Sequence, residues 1–503
     1  MQASRSINRW LVLLAVVLAF LPIVVDMTIL HIAIPSLTLA LRASATQVLW
    51  IIDIYPLLMA SLLIPMGTLA DRIGHRKLLL VGLSIFIVGS VAAAYSPSAA
   101  ALIGARAVMA FGSAMALPCT LAIIRQTFHD EKERAIALGL WGTVAASGAA
   151  LGPLIGGALL EYFWWGSVFL VNVPIMLLTG PLVLAFTPRH SLRMQTPWSL
   201  GQAVLLMSGL MATIYAIKWM FKPDAVIGWS LVPGAAGVLL LVRFVRLQRR
   251  SPHPMMDMSL LHKPPIKAGV VMAMIVMGGL AGAELTLAQE LQFVLGRSPL
   301  GAAVFMAPLM LAAALGGPFA GWLLDRFGIR VVASASLWVS AACLMGLSLS
   351  DFAVAGWPVF TMLAALGFAL SIGLTASSVA IMSSTPAEKA GAGGGLEASS
   401  YDLGTGLGIA GFGLVLTTVY RDAMQVPQGV VLAPDAVIHS IGETMVTASG
   451  LPPSQAAALV EAARTAFSHA HGLVLSSAAV AIMVVGLYVN WALRAEALNK
   501  LQE

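Results

Sequence analysis

The chain of 503 residues contains little charge, since Asp, Glu, Lys and Arg make up only 10% of it. Water-soluble domains usually carry about 25% charged residues, so this composition excludes an ordinary soluble protein. Hydrophobic residues make up 59% of the chain, and the mean hydropathy is +0.91. A chain of this kind is expected to cross a lipid bilayer several times.

Cysteine and nucleotide-binding motifs are also scarce. Cys119 and Cys343 are the two cysteines, and both lie in apolar runs, where a free cysteine acts as a small hydrophobic residue. We therefore expect neither a disulfide nor a metal site. The sequence has no phosphate-binding Gly-Lys-Ser/Thr loop and no catalytic triad, so no cofactor, ATP hydrolysis or enzymatic activity is indicated.

Long apolar runs predict an all-α polytopic membrane protein, because about 20 apolar residues form a helix that crosses a bilayer. Fourteen spans are predicted, at residues 10–34, 46–70, 78–95, 99–124, 135–160, 165–186, 198–220, 226–245, 267–290, 300–324, 331–350, 355–384, 388–420 and 471–494.

The basic residues predict the orientation. Of the 28 Lys and Arg residues, 21 fall in segments on the same side as the two termini. Basic segments remain in the cytoplasm, so both termini are expected there. This placement explains the net charge of +6, which therefore does not indicate a nucleic-acid partner.

One motif occurs twice. GTLADRIGHRK begins at Gly67 after span 2, and GWLLDRFGIR begins at Gly321 after span 10. Such a repeat predicts two six-span bundles with a site between them. The predicted domains are an N-terminal bundle at residues 1–190, a two-span insert at residues 191–250, and a C-terminal bundle at residues 251–503. The C-terminal bundle includes an outer loop at residues 421–470.

The repeated turn is expected to control conformation. Glycines let two helix ends approach closely, and the charged residues can bond neighbouring helix ends, so that these bonds break when the bundles rock. The residues given this role are Gly67, Asp71, Arg72, Gly74, Arg76, Asp325 and Arg326.

Span 5 carries a second conformational motif. Gly148, Gly152 and Gly156 recur every four residues, and such a stripe lets another helix pack closely. Pro153 adds a possible bend, and Gly157 extends the small-residue surface. The stripe is expected to seal a barrier against ion leakage, although plain small-residue packing explains the same surface.

Five acids lie inside the predicted spans and away from the span ends, although a charged residue at the centre of a spanning helix costs about 2.5–3.5 kcal/mol on insertion scales. They are Asp26, Asp53, Glu284, Glu397 and Asp402. Against them stand Arg106, which we expect to pair with Asp26 or Asp53, and Lys218, which belongs to the peripheral insert. The excess of carboxylate predicts either protonated acids or a cationic ligand.

Further candidates surround these acids. Trp50 and Tyr55 lie close to Asp53 in the sequence, and aromatic faces bind cations. His31 either shares in proton transfer or is a hydrogen-bonded core residue. The amphipathic run Pro453–Phe467 is expected to form a helix lying on the outer face.

The loop motif resembles that of the major facilitator superfamily, and the span 5 glycines resemble the motif of its antiporters. DMTILHIAIP from Asp26 and WIIDIY from Trp50 resemble the first two spans of the fourteen-span drug:proton antiporters, especially the Qac-type and SmvA-like exporters of quaternary ammonium compounds and methyl viologen. The resemblance implies that Asp26, Asp53 and Glu397 serve substrate recognition or proton coupling. His31 stands where the family usually has Asn.

The resemblance implies a monomeric antiporter of the bacterial inner membrane that exports lipophilic organic cations, such as quaternary ammonium biocides and dyes, and is driven by the proton gradient. A proton-coupled transporter of another small metabolite remains the alternative. A membrane enzyme would need catalytic residues in a large aqueous loop, and the long outer loop Arg421–His469 contains no matching constellation. An accessory protein fits least well, because it does not require buried acids.

Overall fold

Helices dominate the architecture because a backbone within a bilayer must satisfy its own N–H and C=O groups. The computed structural model of the protein describes residues 8–187, 199–220, 228–251, 254, 258–354, 356–386, 389–432 and 436–494. The helices of this part are α1 (Arg9–Leu41), α2 (Ala45–Ile73), α3 (His75–Ala94), α4 (Ala99–Thr127), α5 (Glu131–Tyr162), α6 (Ser167–Leu170), α7 (Asn172–Phe186), α8 (Leu200–Met220), α9 (Gly228–Arg250), α10 (Pro264–Gln289), α11 (Pro299–Ser348), α12 (Trp357–Ser383), α13 (Ala390–Ala423), α14 (Ile441–Ala448) and α15 (Pro453–Ala492).

The described residues contain thirteen helical segments that are long and apolar enough to cross a membrane. One of them, α11, has 50 residues and would be about 75 Å long if straight, far more than one crossing requires. Gly328 interrupts it with a φ of +76°, so α11 contains spans 10 and 11. The predicted all-α, fourteen-span fold is therefore confirmed.

The two copies of the repeated motif form the same backbone turn. Gly74 joins α2 to α3 with a φ of +104°, and Gly328 occupies the equivalent position with a φ of +76°. Residues with a side chain rarely adopt such angles. The sharp connection between the second and third spans of each bundle therefore depends on this glycine.

Two sets of helices pack in the same pattern. In the first bundle, α1 packs against α4, α5 and α7, and in the second bundle α10 packs against α12, α13 and α15. The bundles meet where α2 contacts α13 and where α5 contacts α11. The inserted helices α8 and α9 pack against each other, and α8 also contacts α2. The predicted boundary at residues 190 and 191 lies outside the described residues.

Pro453–Phe467 is helical as predicted, but the prediction that this helix lies on the outer face is wrong, because the segment continues into the last span as the single helix α15. Leu459, Ala463, Phe467 and Ala470 are buried and recur at helical spacing. One buried face thus crosses the junction between the loop and the span, so nothing ends the helix there.

Glycines bring α10 and α13 into backbone contact. A Cβ atom at Gly408 would lie 2.2 Å from the Cα atom of Gly278, and one at Gly404 would lie 2.5 Å from the Cα atom of Met274. Small residues of this kind permit close helix packing within a membrane.

We predict that Gly408→Ala forces α10 and α13 apart and lowers the free energy of unfolding by about 1–3 kcal/mol, the usual cost of overpacking. Gly411→Ala is the matched control, since a Cβ atom there meets no other atom within 4 Å. Melting of the purified proteins in detergent measures the effect. Equal melting temperatures for the two variants would contradict the prediction.

Candidate functional site

The ends of the helix bundle serve as reference points. The end that carries Arg9 of α1 is called the termini face, and the opposite end, which carries α14, is called the loop face.

Asp26 of α1 lies inside the first bundle, where Arg106 of α4 neutralises it. Nη1 of Arg106 lies 2.5 Å from Oδ2 of Asp26, and the amide of Asn172 donates to Oδ1 at 3.3 Å. Both charged residues are buried. Arg106 thus pairs with one of the two acids that the sequence indicated, while Asn172 is a partner that sequence reasoning missed.

Tyr55 supports this ion pair. The guanidinium of Arg106 lies 4.7 Å from the centre of the Tyr55 ring, and the Tyr55 hydroxyl lies 2.5 Å from Oγ of Ser113. Tyr55 has no exposed surface. The cation that this ring contacts is therefore the chain's own arginine, and here the ring is not open to a ligand.

Asp53 of α2 pairs with Lys218 of the inserted helix α8. The distance from Nζ of Lys218 to Oδ2 of Asp53 is 2.5 Å, and Nζ also lies 4.3 Å from the centre of the Trp50 ring. Lys218, which the sequence assigned to a peripheral insert, is therefore the counter-charge of Asp53. Hydropathy places a residue on a helix but does not show which way its side chain turns.

Glu284 connects the two bundles. Its Oε2 atom on α10 lies 3.0 Å from Nδ1 of His31 on α1, and both side chains are buried. Close by, Nε2 of Gln292 donates to the carbonyl of Ile32 at 3.0 Å. Of the two interpretations of His31, the hydrogen-bonded core residue fits this arrangement. Because its partner Glu284 lies on α10, His31 also connects the two bundles.

Glu397 and Asp402 of α13 differ from the other three acids. The Tyr401 hydroxyl donates to Oε1 of Glu397 at 2.5 Å, and Asp402 is buried at 7% exposure. Among the described residues, neither acid forms an ion pair with a basic side chain. The predicted excess of carboxylate therefore lies on α13, whereas Asp26 and Asp53 of the first bundle each have a basic partner.

The arginines of the repeated motif anchor each bundle internally. Arg76 donates to the carbonyls of Leu184, at 2.5 Å, and Thr187, at 3.3 Å, at the end of α7. Arg330, at the equivalent position, donates to Oδ1 of Asn490 at 2.9 Å near the end of α15. Both bonds tie the turn to the last helix of its own bundle.

The remaining charges of the motif lie nearer the surface. Asp71 Oδ1 lies 3.1 Å from Nε2 of His75 across the turn. Arg72, Asp325 and Arg326 are exposed. Bonds that join the two bundles through these residues remain a prediction.

The glycine stripe of α5 packs against α1. A Cβ atom at Gly152 would lie 2.0 Å from Oγ1 of Thr28, and one at Gly156 would lie 2.6 Å from Cγ1 of Ile29. Gly148 faces Val24 at 3.3 Å in the same way. Pro153 lies within α5, which remains one helix.

Gly157 makes the corresponding contact with the second bundle. A Cβ atom there would lie 2.9 Å from the Cα atom of Leu300 at the start of α11. At the same face, the N–H of Ala45 donates to Oε1 of Glu443 at 2.8 Å. These contacts, together with the His31–Glu284 pair, close the loop face between the bundles.

A second buried acid–histidine pair escaped the sequence reasoning. Oε1 of Glu290 accepts a hydrogen bond from Oγ of Ser468 at 2.6 Å, and Oε2 lies 3.6 Å from Nδ1 of His471. Glu290 and His471 each lie at the boundary of an apolar run, where hydropathy does not distinguish a loop residue from a buried one. The pair lies within the second bundle.

The family model of the Major Facilitator Superfamily matches residues 16–409. The chain belongs to this superfamily. The resemblance stated from the sequence motifs is thereby confirmed, and the protein is a multi-pass membrane protein.

Individual relatives match along nearly the whole chain. The chain is 45% identical over 491 residues to the methyl viologen resistance protein SmvA of Salmonella typhimurium, covering 96% of this chain and 99% of that protein. It is 35% identical over 500 residues to the multidrug efflux pump LfrA of Mycolicibacterium smegmatis, covering 98% of each. A solved bacterial homologue of the human lysosomal transporter Spinster, in an inward-facing and occupied conformation, shares the fold with a TM-score of 0.64 at 18% identity, covering 97% of each chain.

We predict that Arg106→Gln destabilises the protein by about 3–5 kcal/mol, because removing one partner of a buried ion pair leaves an uncompensated charge. The double variant Asp26→Asn with Arg106→Gln should recover most of the loss. Melting in detergent measures both, and Arg297→Gln, at an exposed arginine, is the control. A double variant no more stable than the single one would contradict the prediction.

Proposed function

We propose that this protein is a proton-coupled antiporter that exports lipophilic organic cations, such as quaternary ammonium biocides and dyes, from the bacterial cytoplasm. The observation that carries the proposal is the pair of acids on α13, Glu397 and Asp402, which have no basic partner among the described residues. Acids inside a membrane need either a proton or a cation, and this transport cycle supplies each in turn.

The relatives support the same substrate class. One of them is a methyl viologen resistance protein, and another is a multidrug efflux pump. The high identity to the first, over nearly the whole chain, makes a related activity the simplest proposal. The inner membrane, cytoplasmic termini and a monomeric state belong to the proposal as well.

The proposed cycle follows from the closed loop face. With the termini face open to the cytoplasm, deprotonated Glu397 and Asp402 attract the cation. The bundles then rock, and protons from outside neutralise the acids and release the cation. Linkage requires that protons weaken cation binding by the same factor by which the cation weakens proton binding.

The pair of His31 and Glu284 links protons to this rocking motion. It joins α1 to α10 while the loop face is closed. Opening of that face would separate the two side chains and make Glu284 available to protons from outside. In this proposal Glu284 serves as a proton-coupling residue of the loop face, whereas the acids on α13 bind the cation.

We predict that Asp26→Asn and Asp53→Asn each abolish proton-driven ethidium efflux while the protein is still expressed, and that Glu397→Gln and Asp402→Asn abolish it as well. Fluorescence efflux in cells that lack other pumps is the measurement. Asp422→Asn is the control, because this acid at the loop-face end of α13 is exposed and should be dispensable. Full efflux by both the Asp26 and Asp53 variants would refute the part in substrate recognition or proton coupling that the family resemblance implies for these two acids.

Proton release by purified protein separates this function from transport of another metabolite. Addition of ethidium or tetraphenylphosphonium to the unbuffered protein should release protons. A protein that releases none with either cation, but does so with an anionic or neutral metabolite, would support the alternative.

We further predict that Gly157→Ala makes proteoliposomes leak protons in the absence of substrate, because the added Cβ atom strains the contact between α5 and Leu300. A weakening of about 1 kcal/mol shifts the closed population about fivefold. Gly142→Ala on the same helix meets no atom within 4 Å and should leave the membrane tight. The same leak rate for both variants would show that the contact does not seal the loop face.

A further inference from the structure

The inserted helix α8 places a lysine where an organic cation could bind. Nζ of Lys218 lies 2.5 Å from Oδ2 of Asp53, donates to the carbonyl of Leu49 at 3.2 Å, and lies 4.3 Å from the centre of the Trp50 ring. A carboxylate, a carbonyl and an aromatic face are the groups that recognise an ammonium ion. Together Asp53, Trp50 and Leu49 form what we call the ammonium box.

The direction of the lysine side chain is unusual for its position. Lys218 lies two residues before the end of α8, about 3 Å from the loop-face end of that helix. A lysine near a helix end normally extends its amine to the nearby water. Lys218 turns inward instead and is 6% exposed, so its contacts in the box outweigh hydration at the adjacent interface.

Lys218 does not occupy both carboxylate oxygens of Asp53 in the box. Asp53 has no exposed surface, and among the described residues its Oδ1 atom has no hydrogen-bond partner. A buried carboxylate oxygen without a partner is costly. The box therefore has capacity for a further proton or for a cation that uses both oxygens.

Aromatic rings lead from the box to the outside of the bundle. The Trp50 ring lies 6.4 Å from that of Tyr215, which in turn lies 5.7 Å from that of Trp219. Tyr215, the middle ring of the three, is 40% exposed, so the row reaches the surface there. The ring faces provide sites along which a lipophilic cation can approach.

We propose that Lys218 is a tethered cation that fills the ammonium box in the absence of substrate, and that a primary or quaternary ammonium ion competes with it for Asp53. This assigns the two-span insert a part in cation recognition, and it rests on the proposed function of organic cation export. The box is distinct from the acids on α13, because its own cation comes from the inserted helix.

Chemical rescue tests the box without requiring transport. Lys218→Ala should lower the melting temperature of the purified protein, and n-propylammonium, which replaces the missing part of the side chain, should restore at least half of the loss. The same concentration of n-propanol should not. The double variant Asp53→Asn with Lys218→Ala should not respond to n-propylammonium, because the carboxylate is absent.

Lys263→Ala provides a matched control. Lys263 donates to the carbonyl of Ser384 at 2.7 Å but is exposed and contacts no carboxylate among the described residues, so its loss should not be rescued. Absence of ammonium-specific stabilisation in Lys218→Ala would overturn the proposal. An equal response in the double variant would overturn it as well.

A binding measurement covers the case in which Lys218→Ala does not fold. Lys218→Met keeps the length of the side chain without its charge, and it should bind ethidium about fivefold more tightly than the original protein, a gain of about 1 kcal/mol. Lys218→Arg should bind no more tightly than the original protein. Equal or weaker ethidium binding by a folded Lys218→Met protein would overturn the competition.

The two proposals fail in different ways. Ammonium rescue in a protein that exports no organic cation would support the role of Lys218 as a tethered cation and refute the proposed export. Cation efflux by the original protein without ammonium rescue of Lys218→Ala would refute the tethered cation alone.

Discussion

The structure depends on one electrostatic constraint, which is that a carboxylate within a bilayer needs a positive charge or a proton beside it. In the first bundle this need is met by side chains of the chain itself, Arg106 for Asp26 and Lys218 for Asp53. On α13 no basic side chain of the described residues meets it. This difference divides the acids into compensated ones, which hold the first bundle together, and uncompensated ones, which depend on protons or cations from elsewhere.

Close packing supplies the second requirement, because a transporter of the proposed kind must keep its two faces from opening together. Glycines of α5 bring it into contact with α1 of the same bundle and, through Gly157, with α11 of the other bundle. The His31–Glu284 pair crosses between the bundles near the same face. Apolar packing and a buried acid–histidine contact thus meet at the loop face.

The inserted helices have a larger part in this arrangement than their lateral position suggests. Through Lys218, α8 provides the counter-charge for an acid of α2, and removal of the insert would leave Asp53 buried without it. The repeated motif has a more local effect in this conformation, since Arg76 and Arg330 each bind the final helix of their own bundle. In the proposed rocking motion, each bundle can therefore move as a unit.

Much of the fold was determined by the sequence alone, because hydropathy and helical length are properties of consecutive residues. The spans follow from apolar runs, the two bundles from the repeated motif, and the turns at Gly74 and Gly328 from residues that tolerate a positive φ. The presence of acids at membrane depth was also evident from position along each span. The tertiary structure alone decided their partners: Lys218 for Asp53, His31 for Glu284, and Asn172 beside Asp26. Each of these partners lies on another helix, and which side chains meet depends on the rotation and packing of helices, which hydropathy does not encode.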